Sequence, residues 1–143
     1  MIKYKSGYKY QLVEEYICQI NIFPKHDIVT DYILLAKTGI LTIKKGYAWD
    51  GPSGPTFDTQ TFMRGSLVHD ALYQLIREMH LSKHYRVSAD QILHIICIED
   101  GMNRLRAWYV YKGVEKGAGF AADPKHAKPI LTAPQGGRDE YQQ

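Results

Sequence analysis

Two short segments of the chain hold residue types that can perform acid–base or metal chemistry. Asp50 and Ser53 lie in a loop that reads Asp-Gly-Pro-Ser-Gly-Pro, and His69 and Asp70 are neighbours in the helical segment that follows. Histidine changes charge near neutral pH and is the usual proton shuttle, and a carboxylate can orient it. The pattern predicts a site where the loop meets the helix.

The candidate catalytic residues are His69, Asp50 and Asp70, and with Asp90 they form a candidate metal site. Three carboxylates and one imidazole suit Mg²⁺ or Mn²⁺ and also admit Zn²⁺. Without a metal, His69 would act as a general base oriented by a carboxylate. Each residue also has a structural interpretation. His69 would bond a backbone carbonyl, Asp70 would be a solvated charge, Asp50 would form an Asx-turn, and Asp90 would complement a helix N-terminus.

Three further residues are candidates for binding a substrate. Tyr73 lies one helical turn after His69 and can donate its hydroxyl to a ligand or to Asp50, although half-buried packing explains it as well. Ser53 does not fit the Gly-x-Ser-x-Gly nucleophile motif, so it would line the site at most. Arg77 can contact an anion, and it is equally explained as a surface charge. The sequence contains no P-loop, dinucleotide fingerprint or Cys-x-x-Cys zinc pattern.

The segment that carries the histidine is predicted to be an amphipathic helix over residues 62–79. Its apolar residues recur at helical spacing and form a stripe that would face a core. His69 and Tyr73 fall on the flank of this stripe, whereas Asp70 falls opposite it. His69 with Asp50 is therefore the better candidate for the chemical centre.

Two more helices are predicted. The segment 89–100 is apolar almost all round and should be central in the fold. Ser88-Ala89-Asp90-Gln91 matches the capping-box pattern at its start, and Gly101 can end it. A third helix is predicted over residues 104–116.

The first third of the chain predicts β-structure. Extended runs rich in Tyr, Val, Ile and Leu cover residues 8–23, 28–36 and 40–49. Lys37-Thr38-Gly39 supplies a tight connection between the last two runs, with Gly where a positive φ is needed. Successive hairpins indicate an antiparallel sheet.

These elements predict an α+β fold, in which an N-terminal antiparallel sheet of hairpins is followed by about three helices packed on it. Residues 1–116 would form a single domain. In residues 117–143 Gly, Ala and Pro are frequent and the apolar period is lost. That segment is predicted to be an extended or disordered tail.

Composition is that of an ordinary soluble protein. The chain has 143 residues, 45% of them hydrophobic, and a net charge of +3, which is too small to indicate nucleic-acid binding. No apolar run approaches the ~20 residues of a membrane span, and the N-terminus does not resemble a signal peptide. Cys18 and Cys97 are predicted to be reduced, as in a cytoplasmic protein.

In combination, the loop and helix motifs resemble those of a family of small phage and prophage proteins, an uncharacterised domain family. The family pattern is Gly-aromatic-x-x-Asp-x-x-Ser, then His-Asp-x-Leu-Tyr, then Ala-Asp. Its residues here are Gly46, Tyr47, Asp50 and Ser53; His69, Asp70, Leu72 and Tyr73; and Ala89 with Asp90. The resemblance extends over residues 39–113 and implies a phage origin, but no assigned activity. It favours treating the four candidate metal ligands as one site.

Three kinds of function are then expected. The first is a hydrolase that acts on a phosphodiester or nucleotide, such as a host immune signal, or on the cell wall. The second is a non-catalytic virion or assembly protein, in which the polar residues form a rigid hydrogen-bonded network. The third is a sponge that binds a small ligand without converting it. The expected partners are a small anionic substrate or phage structural proteins, with a homo-oligomer as a further option. The expected location is the host cytoplasm, or the virion for a structural protein.

Overall fold

In a computed structural model of the chain, residues 10–49 and 60–122 are described, with side chains as far as residue 117. The contacts divide the chain into two compact units. One unit contains the β-strands, and the other contains the α-helices together with Ile20–Ile22. An antiparallel sheet followed by three helices within the described residues confirms the α+β class. The single domain over residues 1–116 stays a prediction.

Six short strands lie among the described residues of the first unit. They are β1 (Tyr10–Gln11), β2 (Tyr16–Gln19), β3 (Ile28–Val29), β4 (Ile33–Leu35), β5 (Ile40–Ile43) and β6 (Ala48–Trp49). Strands β2, β5, β4 and β3 form an antiparallel sheet in that order, and β1 pairs with β6 in a separate two-stranded ribbon. The predicted antiparallel hairpins are therefore confirmed.

The strand predicted over residues 40–49 is interrupted. Between β5 and β6 the backbone turns at Gly46, whose φ is +96°, and the Tyr47 amide donates to the Lys44 carbonyl at 3.2 Å. This turn moves β6 out of the larger sheet and onto β1. By contrast, the hairpin between β4 and β5 is as predicted, since Gly39 has a φ of +88° and its amide donates to the Ala36 carbonyl.

The second unit contains α1 (Met63–Arg77), α2 (Arg86–Glu99) and α3 (Arg104–Ala122), with a short 3₁₀-helix (Lys83–Tyr85) before α2. Helix α2 packs against both α1 and α3, so its predicted central position is confirmed within this unit. Within the described residues, none of these helices is long and apolar enough to cross a membrane.

Three helix boundaries differ from the prediction by two residues or more. Helix α2 begins at Arg86 rather than Ala89, because the 3₁₀-helix, capped by the Ser82 side chain, leads directly into it. Ser88 therefore lies inside α2, and the predicted capping box is wrong. Helix α1 ends at Arg77, two residues early. Helix α3 continues to Ala122, so residues 117–122 are helical rather than part of a tail, and residues 123–143 lie outside the described residues.

The interface of α1 and α2 is set by a close approach at Gly65. A Cβ atom added to this glycine would lie 2.8 Å from Cδ1 of Leu93 and 3.1 Å from Sγ of Cys97. Leu93 and Cys97 belong to a buried apolar cluster that also includes Phe62, Met102 and Ala107. The absence of a side chain at residue 65 thus lets the two helices approach closely enough for polar side chains further along α1 to reach α2.

Candidate functional site

The predicted site residues His69 and Asp90 meet between α1 and α2. Nε2 of His69 lies 2.7 Å from Oδ1 of Asp90, although the residues are 21 positions apart in sequence. The exposed fraction is 8% for His69 and 2% for Asp90. A buried carboxylate requires hydrogen-bonding partners, and the histidine ring supplies one of them.

Tyr73 supplies the second partner. Its hydroxyl donates to the same Oδ1 of Asp90 at 2.6 Å, and its ring centroid lies 4.1 Å from that of His69. Residues four apart on a helix lie on the same face, so α1 presents both donors to one carboxylate. Tyr73 is 3% exposed. We call His69, Tyr73 and Asp90 the Asp90 network.

Asp70 approaches the other side of the histidine ring. Its Oδ1 lies 4.0 Å from Nδ1 of His69, beyond hydrogen-bond distance but close enough for electrostatic interaction. The Asp70 side chain is partly exposed, unlike the Asp90 side chain. The Nδ1 side of the His69 ring is therefore near a carboxylate that is partly exposed to solvent.

Burial and the two neighbouring carboxylates together set the pKa of His69. Burial by itself lowers the pKa of His69, but the carboxylates of Asp70 and Asp90 raise it more, so its net pKa is above the ordinary value of 6.5. For Tyr73, burial and the hydrogen bond to Asp90 both raise the pKa of the phenol, while the nearby Arg86 lowers it. Tyr73 is consequently a neutral hydrogen-bond donor at physiological pH.

This arrangement fixes the tautomer of His69. A carboxylate can only accept hydrogen bonds, so Nε2 carries a proton and donates it to Asp90. In neutral His69 the lone pair is then on Nδ1, which is the atom able to accept a proton. A carboxylate that holds one ring nitrogen while the other acts as a base is a common arrangement for general-base catalysis.

The predicted site residues can now be placed. His69, Asp70 and Asp90 are brought together, and the Tyr73 hydroxyl joins them by its hydrogen bond to Asp90. The predicted role of Tyr73 in binding a substrate stays a prediction. Asp50 and Ser53 lie outside the described residues, so their roles stay predictions. The predicted substrate contact of Arg77 is likewise untested; this residue lies in the last turn of α1, two turns beyond His69.

Sequence reasoning did not identify the two hydrogen bonds on Asp90. It treated Asp90 as a helix cap or a metal ligand, and it gave the Tyr73 hydroxyl a ligand or Asp50 as its partner, with half-buried packing as the alternative. The signal was present in the four-residue spacing of His69 and Tyr73 and in an aspartate within an otherwise apolar helix. Such an aspartate needs donors, and α1 offers two of them on one face.

The described residues include no group of three or more His, Cys, Asp and Glu side chains that could hold a metal ion. Asp90 contacts Nε2, whereas Asp70 approaches Nδ1. An ion bound at Nδ1 would therefore have His69 and Asp70 as ligands, with Asp90 as the outer partner of the imidazole. The four-residue metal site that includes Asp50 stays a prediction.

Comparison with known proteins identifies a family for this chain. A family model described as a protein of unknown function (DUF1353) matches residues 26–114, which is more than half of the chain. No curated protein and no solved structure matches the chain. The matched range includes α1, α2 and all three residues of the Asp90 network.

Proposed function

We propose that this chain, which belongs to the DUF1353 family of proteins of unknown function, is a hydrolase in which His69 is the general base. The observation that supports this proposal is the 2.7 Å contact between Nε2 of His69 and Oδ1 of Asp90. It orients the ring and leaves Nδ1 to take a proton from water. Asp90 and Tyr73 are positioning residues in this proposal, because they act through the histidine.

Asp70 has a second role in the same proposal. Its carboxylate would stabilise the imidazolium that forms when Nδ1 accepts a proton, since the two atoms are 4.0 Å apart. With a divalent ion (Mg²⁺, Mn²⁺ or Zn²⁺), His69 and Asp70 would instead be ligands, joined by Asp50 if the loop brings it there. The ion would then supply the activation of water.

The proposed substrate is a phosphodiester or a nucleotide. What supports an anion is Arg86, which is close enough to Tyr73 to lower the pKa of its phenol. Its charge would have to offset the carboxylates of Asp70 and Asp90 beside His69. The motif resemblance to phage and prophage proteins supports a phage origin. With that origin, a host immune signal made of nucleotides is one substrate of the proposed class.

A non-catalytic assembly protein is the second candidate, and the burial of the network favours it. His69, Tyr73 and Asp90 are each less than 10% exposed, so their hydrogen bonds are able to serve simply to fix α1 against α2. Buried polar networks rigidify a fold when every member is satisfied. The two candidates differ in whether the imidazole ever meets a substrate.

The two candidates can be separated with the purified full-length chain. Hydrolysis of bis(4-nitrophenyl) phosphate and of linear and cyclic dinucleotides would be measured with and without Mg²⁺, Mn²⁺ or Zn²⁺. The variants are His69→Gln and Asp90→Asn, with His84→Gln as a matched control, since His84 is an exposed histidine of the same unit. Thermal unfolding of every variant is recorded alongside turnover.

The hydrolase proposal expects turnover by the wild type and by His84→Gln. It expects a loss of about 100-fold or more in His69→Gln, the size of effect that a general base contributes. Turnover that is the same in His69→Gln and in the wild type contradicts the proposed base. No turnover of any substrate, with a lower melting temperature in both network variants, supports the assembly protein instead.

A further inference from the structure

Helix α3 has two different faces along the length in which its side chains are described. One face packs on the apolar cluster of the helical unit through Ala107, Val110 and Val114. The opposite face carries large apolar side chains in solvent: Leu105 is 76% exposed, Trp108 49% and Tyr109 75%. Because residues three and four apart on a helix are neighbours, these three side chains form one patch.

Basic side chains extend this patch in both directions. Arg104 precedes it, and Lys112 and Lys116 follow at seven and eleven residues from Leu105, on the same side of the helix. The Lys112 ammonium lies 6.0 Å from the ring centroid of Trp108, so the basic and aromatic parts are in contact. We call the set Arg104, Leu105, Trp108, Tyr109, Lys112 and Lys116 the outer face of α3.

The acidic side chains near this face form ion pairs, and one of them, Glu115, pairs with Lys112 of the face itself. Glu99 and Asp100, which lie just before α3, both form ion pairs with Arg64 of α1 at 2.9 Å. Glu115 lies 2.8 Å from the Lys112 ammonium. The outer face therefore combines exposed apolar and aromatic groups with an excess of positive charge.

We propose that the outer face of α3 docks the protein onto an anionic phospholipid surface, with the helix lying in the plane of the interface. Trp and Tyr rings favour the level of the lipid headgroups, Leu inserts among the acyl chains, and Arg and Lys pair with phosphates. Each basic residue near such a surface strengthens binding severalfold, and added salt weakens this part.

The composition of the patch favours lipid over nucleic acid. Proteins that bind single-stranded nucleic acid stack bases on aromatic rings, a role that Tyr109 and Trp108 are able to fill. Leu105 is the most exposed of the three apolar residues, and an aliphatic side chain offers no ring on which a base stacks. An acyl-chain environment accepts all three side chains, so lipid explains the whole patch.

The test uses the full chain and vesicles of phosphatidylcholine, alone or mixed with phosphatidylglycerol, in a flotation assay. We expect binding to the anionic vesicles, loss of that binding at high salt, and little binding to the neutral ones. The fluorescence of Trp108 should shift to shorter wavelength on binding. Trp49, the other tryptophan of the chain, is already buried, so Trp108→Phe should abolish the shift.

Two variants of the outer face locate the contact. Arg104→Gln with Lys116→Gln should weaken binding to anionic vesicles about fivefold for each charge removed. Leu105→Ser should weaken binding and make the shift of the Trp108 fluorescence smaller. The matched control is Val29→Ser with Lys44→Gln, an exposed apolar residue and an exposed lysine of the strand unit, which should bind like the wild type.

Three results would overturn the proposal. The first is equal binding to neutral and anionic vesicles. The second is equal weakening by the outer-face variants and by the control. The third is binding of a single-stranded oligonucleotide with no binding of vesicles, which would assign the face to nucleic acid.

Discussion

Nε2 of His69 in α1 lies 2.7 Å from Oδ1 of Asp90 in α2, and the Tyr73 hydroxyl reaches the same oxygen at 2.6 Å. One buried carboxylate oxygen thus receives two donors from one helix. Desolvating a carboxylate is costly, and these two hydrogen bonds offset the cost. The contact is consequently both a constraint on the packing of α1 against α2 and the feature that orients the imidazole.

Asp90→Asn should destabilise the helical unit. The amide cannot accept two charge-assisted hydrogen bonds in this position, and the histidine loses a charged partner. We expect the free energy of unfolding to fall by about 2–3 kcal/mol, measured by urea denaturation. The control is Asp70→Asn, which removes the more exposed carboxylate 4.0 Å from the same ring and should cost less than about 1 kcal/mol. Equal effects of the two substitutions would contradict the central role of Asp90.

Tyr73→Phe tests the second donor on Asp90. Removing the hydroxyl leaves the ring packing against His69 in place but takes away a hydrogen bond to a charged group. The expected loss in the free energy of unfolding is about 1.5–3 kcal/mol. Tyr109→Phe is the control, because Tyr109 is largely exposed and should tolerate the change. A Tyr73→Phe protein as stable as the wild type would show that the hydroxyl does not support Asp90.

Local patterns in the sequence predicted most of the elements. Apolar spacing located α1 and identified α2 as central, and the glycines at 39 and 101 marked turns that the structure confirms with positive φ angles. These features depend on residues that are close together in the sequence, and a local pattern includes all of those residues. The predicted start of α2 was wrong because Ser82 and Ser88 are both suitable caps. Only the structure shows that a 3₁₀-helix connects Ser82 to α2.

The partners of Asp90 depend on contacts between distant residues. They require α1 to present the face of His69 and Tyr73 toward α2, and the close approach of Gly65 to Leu93 helps to set that geometry. A glycine inside a predicted helix does not indicate which side chain of another helix will pack against it. The sequence therefore selected His69, Tyr73 and Asp90 as candidates, whereas the hydrogen bonds among them became visible only with the packing of the two helices.

Gly65→Ala should destabilise the packing of α1 on α2. The added Cβ would lie 2.8 Å from Leu93 Cδ1 and 3.1 Å from Cys97 Sγ, so the helices or side chains must move. Overpacking of this kind costs about 1–3 kcal/mol, and it should also weaken the His69–Asp90 contact. Gly113→Ala in α3 is the matched control: its Cβ meets nothing within 4 Å, and alanine should stabilise the helix by up to about 1 kcal/mol. Opposite signs for the two substitutions in urea denaturation are the expected result, and equal signs would contradict the close approach.

Met79→Gly should stabilise the end of α1. Met79 has a φ of +65°, and the His80 amide donates to the Leu75 carbonyl at 2.8 Å, so Met79 occupies the left-handed position that ends many helices. Glycine adopts this conformation without the steric cost that a side chain meets. We expect a gain of about 0.5–1 kcal/mol in the free energy of unfolding. Gly101→Ala, at the equivalent position after α2, should have the opposite effect, and a destabilised Met79→Gly protein would contradict the interpretation.

The raised pKa of His69 predicts how stability depends on pH. Burial lowers this pKa, but the Asp70 and Asp90 carboxylates raise it more, so folded His69 binds its proton more tightly than the unfolded chain does. The stabilisation from protonated His69 is full below the unfolded pKa of about 6.5 and is lost as pH rises through the higher folded pKa. The measurement is urea denaturation between about pH 5.5 and about pH 9. The difference in the free energy of unfolding between the wild type and His69→Gln should become smaller as pH rises. A difference that grows with pH would mean that burial outweighs the carboxylates.

In the proposed hydrolase, the general base His69 must be neutral to accept a proton. Because the pKa of His69 is raised, activity should increase with pH around a midpoint above 6.5.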